Sequence, residues 1–214
     1  MIKKKIALLG KGELAIRVAE YLMESSKYEL ALVVPVCPEP NWTSSLLEWA
    51  TKRRIPTIPS GDYQEIDSIK NYDIYFSVYY DKIFSPSFCI EVELILNLHN
   101  GPLPRYRGVN PINWALKNGE KEHGVTIHRI VPGVDEGAIF GQISFPIYPD
   151  LEDVIDVLNR SYEKGYELFT QVFENLETIT PIEQDHRQAF YYSKAQFEFL
   201  GEFANFKRDA SSNN

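Results

Sequence analysis

Residues 94–114 of the chain read LILNLHNGPLPRYRGVNPINW. The apolar run at 94–98 is typical of a short buried strand. Asn97 and His99 are two residues apart, so their side chains should leave the same face of that strand. The glycine- and proline-rich run at 101–108 cannot continue a strand or a helix. Because ligands of open α/β sheets bind beyond the carboxyl ends of the strands, this pair is a candidate site.

An asparagine or a histidine at a strand end is most often structural, since asparagine forms turns by bonding its own backbone. A second loop strengthens the functional interpretation. Residues 133–137 read GVDEG, follow another strand-like run and carry Asp135 between two glycines. If both loops lie at the same edge of one sheet, Asn97, His99 and Asp135 come together.

An amide, an imidazole and a carboxylate can transfer an acyl group to an amine. Asn97 can donate a hydrogen bond to a developing oxyanion, which is worth about 3 kcal/mol. His99 can take the amine proton, for a gain of roughly a hundredfold or more, and Asp135 can orient it or relay a proton. No serine or cysteine stands in an elbow motif, so the nucleophile is expected on the substrate. Whether His99 or a water removes the proton stays open.

The remaining patterns predict an α/β chain with a mainly parallel sheet and a small C-terminal extension. Strands are expected at 5–9, 30–36, 72–79, 92–98, 124–131, 138–147 and 190–192. Helices are expected at 14–25, 42–51, near Pro86, at 111–116 and at 151–176, the second of them capped by Thr43 or Ser44. The segment 197–206 is rich in aromatic residues and is a candidate subunit interface.

Composition excludes several classes of function. The chain has 214 residues and a formal net charge of −8, which argues against a nucleic-acid-binding surface. The apolar run after the basic N-terminus is too short for a signal peptide or a membrane span, and two cysteines fit a reducing compartment, so we expect a cytoplasmic protein. His123 and His128 lack metal-ligand spacing and are interpreted as ordinary surface or core residues.

The opening GKGELA at 10–15 follows the first predicted strand and starts the first predicted helix. It partly fits a dinucleotide fingerprint, but Glu39 lies among prolines and is a poor clamp for a ribose. We interpret the turn as one that aims backbone N–H groups at an anion. A dehydrogenase is therefore a weak alternative.

Residues 97–139, NLHNGPLPRYRGVNPINWALKNGEKEHGVTIHRIVPGVDEGAI, resemble the signature of the 10-formyltetrahydrofolate-dependent formyltransferases. The resemblance implies a Rossmann-like formyltransferase domain over 1–180 and a C-terminal extension over 181–214, with a disordered tail from about 208. It implies that Asn97 holds the formyl oxygen, His99 acts as the base and Asp135 assists proton transfer. The cosubstrate would be 10-formyltetrahydrofolate, without a metal. Its pterin would be held by main chain at Lys82, Ile83, Phe84, Gly133, Val134 and Gly137.

Three branches of that family compete. The methionyl-tRNA branch has an extra C-terminal domain and needs a basic face, and the glycinamide ribonucleotide branch has a different phosphate loop. The chain most resembles the sugar N-formyltransferases, in the GKGELA opening, in FSVYYDKI at 76–83 and in its compact C-terminal extension.

The resemblance to the sugar branch implies a nucleotide-linked amino-dideoxysugar substrate, with dTDP as the expected nucleotide, for O-antigen or lipopolysaccharide synthesis. A homodimer is also expected. Candidate contacts to the diphosphate are Gly12, Lys82, Asn110, Arg105 and Arg107. Phosphoribosylglycinamide formyltransferase and a non-catalytic folate- or nucleotide-binding module are the alternatives.

Overall fold

The computed structural model describes residues 2–207. Its strands are β1 Lys4–Gly10, β2 Tyr28–Pro35, β3 Ile74–Val78, β4 Ile95–His99, β5 Arg107–Gly108, β6 Glu122–Arg129, β7 Ile139–Pro146 and β8 Tyr191–Tyr192. Its α-helices are α1 Gly12–Glu24, α2 Leu46–Lys52, α3 Pro86–Glu91, α4 Pro111–Lys117 and α5 Val154–Asn175. The main sheet has the order β2-β1-β3-β4-β6-β7, with β7 antiparallel to its neighbour. The predicted α/β class with a mainly parallel sheet is confirmed.

The described residues form two compact units. The first contains the residues up to Leu98 together with Arg129–Pro132, and the second contains His99–His128 together with the residues from Gly133 onward. The predicted boundary near residue 180 falls inside the second unit. The predicted tail from about residue 208 lies outside the described residues.

The first unit is built on parallel pairing of β1 with β2 and β3, and of β3 with β4. Residues 6–10 of β1 are buried, as expected for a strand covered on both faces. Helix α1 buries one face, because its apolar residues recur at helical spacing. An aromatic cluster of Tyr63, Phe84 and Phe88 belongs to a core cluster with buried residues of β1, β2 and β3, and its ring centroids are 4.8–5.4 Å apart. Edge and stacked contacts of this kind add about 0.5–1.5 kcal/mol per pair beyond burial.

Helix α2 begins later than predicted, and its cap is different. Ser45, rather than Thr43 or Ser44, accepts a hydrogen bond from the backbone N–H of Glu48. The Glu39 carboxylate accepts from the N–H groups of Leu46 and its successor at 2.7 and 3.2 Å. A carboxylate at a helix start is stabilised by the unpaired N–H groups and the helix dipole there. Glu39 is thus engaged in a helix cap and is not a ribose clamp.

The second unit joins the β6–β7 hairpin to α5 and to the C-terminal segment. Strand β6 pairs with β7 in antiparallel fashion, and α5 buries an apolar face that includes Leu168, Phe169 and Val172. The late strand β8 pairs with β5 rather than joining the main sheet. The 3-10 helical segment Lys194–Ala204 follows, and its aromatic side chains Phe197 and Phe199 are about half exposed.

The described residues contain no helix that is both long and apolar enough to cross a membrane. Cys37 and Cys89 are free thiols. Within 2–207, no group of three or more histidine, cysteine or acidic side chains is arranged to hold a metal ion.

Candidate active site

His99 is the last residue of β4, and its ring is held in one tautomer. The side chain is 6% exposed, and Nε2 lies 2.6 Å from the carbonyl oxygen of Tyr106. A carbonyl oxygen only accepts hydrogen bonds, so Nε2 carries the proton and donates it. In the neutral ring, Nδ1 is then the nitrogen that can accept a proton.

Asp135 lies beside that nitrogen. Its Oδ2 is 3.6 Å from Nδ1 of His99 and accepts a 2.8 Å hydrogen bond from the backbone N–H of Gly108. Asp135 has a φ of 53°, in the left-handed region, which asparagine and aspartate tolerate better than other side chains. The loop therefore turns the carboxylate toward the end of β4.

A second histidine, His128 near the end of β6, contacts the same carboxylate. Its side chain is 1% exposed, and Nε2 lies 3.4 Å from Oδ1 of Asp135. From the sequence pattern, His128 was expected to be an ordinary surface or core residue, and this contact was not predicted. Its place in β6, seven residues before Asp135 at the end of an alternating strand, is the signal that could have found it.

The charges in this cluster set the protonation states. Burial lowers the pKa of His99 below its ordinary value, although the Asp135 carboxylate acts in the opposite direction. Burial alone would raise the pKa of the Asp135 carboxyl, but His99, His128 and the Gly108 N–H outweigh it and hold that pKa well below its usual range. The site thus pairs a neutral imidazole with an ionised carboxylate, as a general base requires.

Asn97 lies on β4, two residues before His99. It is partly buried, and it pairs in register with Ser77 of β3. The alternation of side chains along a strand directs the two residues to the same face. Its predicted role as the donor to the formyl oxygen stays a prediction.

The first unit holds four of the other predicted site residues. Gly12 is the first residue of α1 and has a φ of 77°. Lys82 lies with Nζ 3.4 Å from the Asp62 carboxylate. Ile83 is 79% exposed, whereas the Phe84 side chain is buried in the aromatic cluster. Any contact of Phe84 with a ligand would therefore be through its main chain, as predicted.

The predicted loop residues of the second unit differ in exposure. Val134 is 37% exposed, and a side chain added at Gly133 would collide with the Glu136 carboxylate. The carbonyl oxygen of Gly137 accepts a 2.7 Å hydrogen bond from Nε2 of Gln184. Gln184 is buried and was missed by the sequence analysis.

Arg105 and Asn110 lie on the connection between β4 and α4. Arg105 is half exposed and forms an ion pair with Glu120. Asn110 has a φ of 55° and is the N-cap residue of α4, directly before its first residue, Pro111. Both residues are accessible to solvent, so the predicted diphosphate contacts stay predictions for them.

Arg107 is placed differently from the expectation. Its side chain is 5% exposed, and Nε and Nη2 donate to Oε1 of Gln184 at 3.1 and 2.7 Å. Nη1 lies 3.4 Å from the Glu136 carboxylate. This guanidinium is used inside the protein, which argues against the predicted diphosphate contact.

The fold and the cluster together define a class of protein. It is a Rossmann-like α/β chain whose strand-end histidine lies beside an ionised carboxylate. A model of the formyl transferase family matches residues 60–173, more than half of the 214 residues. The chain belongs to the formyl transferase family, and the predicted resemblance is confirmed. The matched range contains Asn97, His99, His128 and Asp135 but ends before Gln184.

The chain is similar to two curated methionyl-tRNA formyltransferases. It is 42% identical to the protein of Thermus thermophilus over 95 residues, which are 44% of this chain and 31% of that protein. It is 31% identical to the protein of Fervidobacterium nodosum over 203 residues, which are 90% of this chain and 64% of that protein. The chain thus spans less than two thirds of the length of these relatives.

Among solved structures, the chain is similar to an N-formyltransferase from Helicobacter canadensis in complex with folinic acid and dTDP-3-aminofucose. The TM-score is 0.76 at 26% identity, and the alignment covers 91% of this chain and 72% of that one. A 4-N formyltransferase from Francisella tularensis has a TM-score of 0.74 at 24% identity, covering 92% and 78%, and shows the same fold.

Proposed function

We propose that the chain is an N-formyltransferase that moves a formyl group from 10-formyltetrahydrofolate to the amine of a nucleotide-linked amino sugar. The observation that carries this proposal is the buried pair of His99 Nδ1 and Asp135 Oδ2, 3.6 Å apart, in a member of the formyl transferase family. No protein nucleophile is needed, because an amine attacks the formyl carbon directly.

The residues of the site fit such a transfer. The cosubstrate supplies an electrophilic formyl carbon bound to N10. Asn97 donates a hydrogen bond to the formyl oxygen as it gains negative charge. His99 takes a proton from the attacking amine at Nδ1, and the Asp135 carboxylate stabilises the imidazolium that results.

His99 returns that proton to the departing nitrogen. The new C–N bond to the amine forms, the C–N10 bond breaks, and the proton lost by the amine ends on N10. The exposed backbone near Lys82 and Ile83, and separately the loop with Val134, are the proposed contacts of the pterin. No residue needs a metal ion for these steps.

Two observations support an amino sugar as the acceptor. The structural similarity to the Helicobacter canadensis enzyme extends over 91% of this chain, and that protein was crystallised with a dTDP-linked amino sugar. The net charge of −8 disfavours a tRNA substrate, because phosphate contacts require an excess of lysine and arginine. A role in O-antigen or lipopolysaccharide synthesis, a cytoplasmic location and a homodimer belong to this proposal.

Methionyl-tRNA formylation is the second candidate, and the curated relatives favour it. Both proteins compared above act, by name, on methionyl-tRNA. The range that matches the family model, residues 60–173, contains His99 and Asp135, which both branches would need. Similarity over this cluster therefore does not separate the two substrates.

A single panel of acceptors separates the candidates. The protein would be incubated with 10-formyltetrahydrofolate and dTDP-, UDP- or GDP-linked amino sugars, glycinamide ribonucleotide or methionyl-tRNA, and the formylated product would be followed by mass. We expect one amino sugar to gain the formyl group, and His99→Asn to abolish that gain. Formylation of methionyl-tRNA or glycinamide ribonucleotide alone would overturn the sugar assignment. Absence of all products would favour a binding module.

A further inference from the structure

Gln184 is buried in the C-terminal segment, and both the nitrogen and the oxygen of its side-chain amide form two hydrogen bonds each. Nε2 donates to the carbonyl oxygens of Asp135 and Gly137 at 2.9 and 2.7 Å. Oε1 accepts from Nε and Nη2 of Arg107 at 3.1 and 2.7 Å. Because a guanidinium only donates, Oε1 must face Arg107, and this fixes the orientation of the amide. Two donors and two lone pairs are thus all satisfied by buried partners.

The chain on both sides of Gln184 is anchored. Ile182 exchanges two backbone hydrogen bonds with Ile139 at 2.8 and 2.9 Å. The carbonyl oxygen of Phe190 accepts from the backbone N–H of Arg107 at 3.0 Å. The segment therefore holds Gln184 in a defined place on the second unit.

Asp135 accepts hydrogen bonds at two points, and both are linked to Arg107. The Asp135 carboxylate accepts from the backbone N–H of Gly108, the residue that follows Arg107. Its carbonyl is bound by Gln184, which Arg107 orients. Asp135 has a left-handed backbone conformation, which residues other than glycine adopt rarely, so it persists only where surrounding contacts over-determine it.

We infer that Gln184 is a positioning residue for formyl transfer, which holds the Asp135 loop so that its carboxylate stays beside Nδ1 of His99. The inference rests on the proposed function. Gln184 itself touches no reacting atom. A misplacement of about 1 Å at a reacting centre can cost roughly a hundredfold in rate, so loosening this loop lowers kcat.

The test variant is Gln184→Glu. The glutamate keeps an oxygen that accepts from Arg107 and adds a negative charge there. It loses the two N–H donors that bind the carbonyl oxygens of Asp135 and Gly137. The matched control is Gln188→Glu, which makes the same chemical change at an exposed position of the same segment. We expect Gln184→Glu to lower the melting temperature, because an acceptor oxygen replaces the donor that faces two carbonyl oxygens. In the folded variant we expect kcat to fall about 10- to 100-fold while KM for both substrates changes less than about threefold.

A second readout does not depend on turnover. Hydrogen exchange at the backbone amides of 133–137 should be faster in Gln184→Glu than in the wild type and in Gln188→Glu. A wild-type kcat together with unchanged exchange would overturn the positioning role. If the wild type formylates no acceptor, the proposed function fails while the exchange data still decide whether Gln184 holds the loop.

Arg107→Lys covers the case in which Gln184→Glu does not fold. It leaves both donors of Gln184 in place and removes the planar fork that orients the amide. We expect kcat to fall less than in Gln184→Glu, and the backbone amides of 133–137 to exchange faster than in the wild type. Unchanged values for both would count against the inference.

Discussion

Replacing Asp135 by asparagine tests the central electrostatic feature of the site. Asparagine has nearly the same shape and tolerates the left-handed backbone that Asp135 adopts. Its carbonyl oxygen can still accept from the N–H of Gly108. The substitution therefore removes the negative charge beside His99 while leaving the loop geometry in place.

The expected loss follows from what the charge does. Without it, nothing 3.6 Å from Nδ1 stabilises the imidazolium that forms when His99 takes a proton. General base catalysis contributes about 10²- to 10⁴-fold, and a tenfold change in rate is about 1.4 kcal/mol. We expect kcat to fall by about that factor, which corresponds to roughly 3–5 kcal/mol, with little change in the melting temperature.

The pH dependence of the rate gives a second, independent test of the Asp135 charge. The proposed reaction requires neutral His99, so we expect the rate to fall as the pH drops through the pKa of His99, which burial holds below its ordinary value of 6.5. The Asp135 carboxylate raises that pKa. Removing the charge lowers it further, so the acidic limb of the Asp135→Asn profile should move to lower pH.

The assay is steady-state formyl transfer to the acceptor found in the panel, at pH values from 4 to 9. Asp150→Asn is the control, because it makes the same change on a side chain that is 90% exposed. Asp135→Ala should lose activity equally and should also lose stability, because alanine tolerates the left-handed backbone poorly. A kcat within tenfold of the wild type in Asp135→Asn would refute the role of the carboxylate.

Four further changes have defined outcomes. His99→Asn should lower kcat about 10²- to 10⁴-fold without unfolding the protein, and turnover within tenfold of the wild type would contradict its role as the base. Asn97→Ala should lower kcat about 10²- to 10³-fold through the lost oxyanion donor; a change in KM alone would contradict that role. His128→Gln should move the acidic limb to higher pH, because His128 lowers the pKa of His99, and an unmoved limb would argue against this coupling. Burial lowers the pKa of His123 to about 4 from 6.5. The native state thus binds fewer protons, and urea unfolding should show about 3 kcal/mol lost between pH 6.5 and 4 in the wild type but not in His123→Leu.

The sequence could predict the parts of the site that depend on local pattern. Strand alternation and the glycine- and proline-rich run that follows indicated that His99 and Asn97 lie at the end of β4, and the role of Asn97 there stays a prediction. Asp135 was found because two glycines bound its loop. Each of these signals lies within about ten residues of the side chain that it concerns, and short-range periodicity is what a single sequence reports.

The contacts that the sequence could not predict are long-range. Gln184 binds the carbonyl of Asp135 across 49 positions and Arg107 across 77. Nothing in the local pattern separates a buried glutamine from an exposed one before the fold brings these segments together. The same limit misassigned Arg107, since an arginine in a glycine-rich loop equally suggests a contact to a phosphate.

The choice of proton acceptor shows why backbone contacts matter most for the mechanism. The sequence left open whether His99 or a water removes the proton. It also could not tell which of the two ring nitrogens of His99 is the basic one. The carbonyl oxygen of Tyr106 distinguishes the two ring nitrogens, since it accepts a hydrogen bond from Nε2–H at 2.6 Å. Nδ1 is then the free basic nitrogen, and it faces an ionised carboxylate that stabilises the charged ring. The proposed role of His99 itself as the base rests on this carboxylate, which lies beside the nitrogen that would gain the proton.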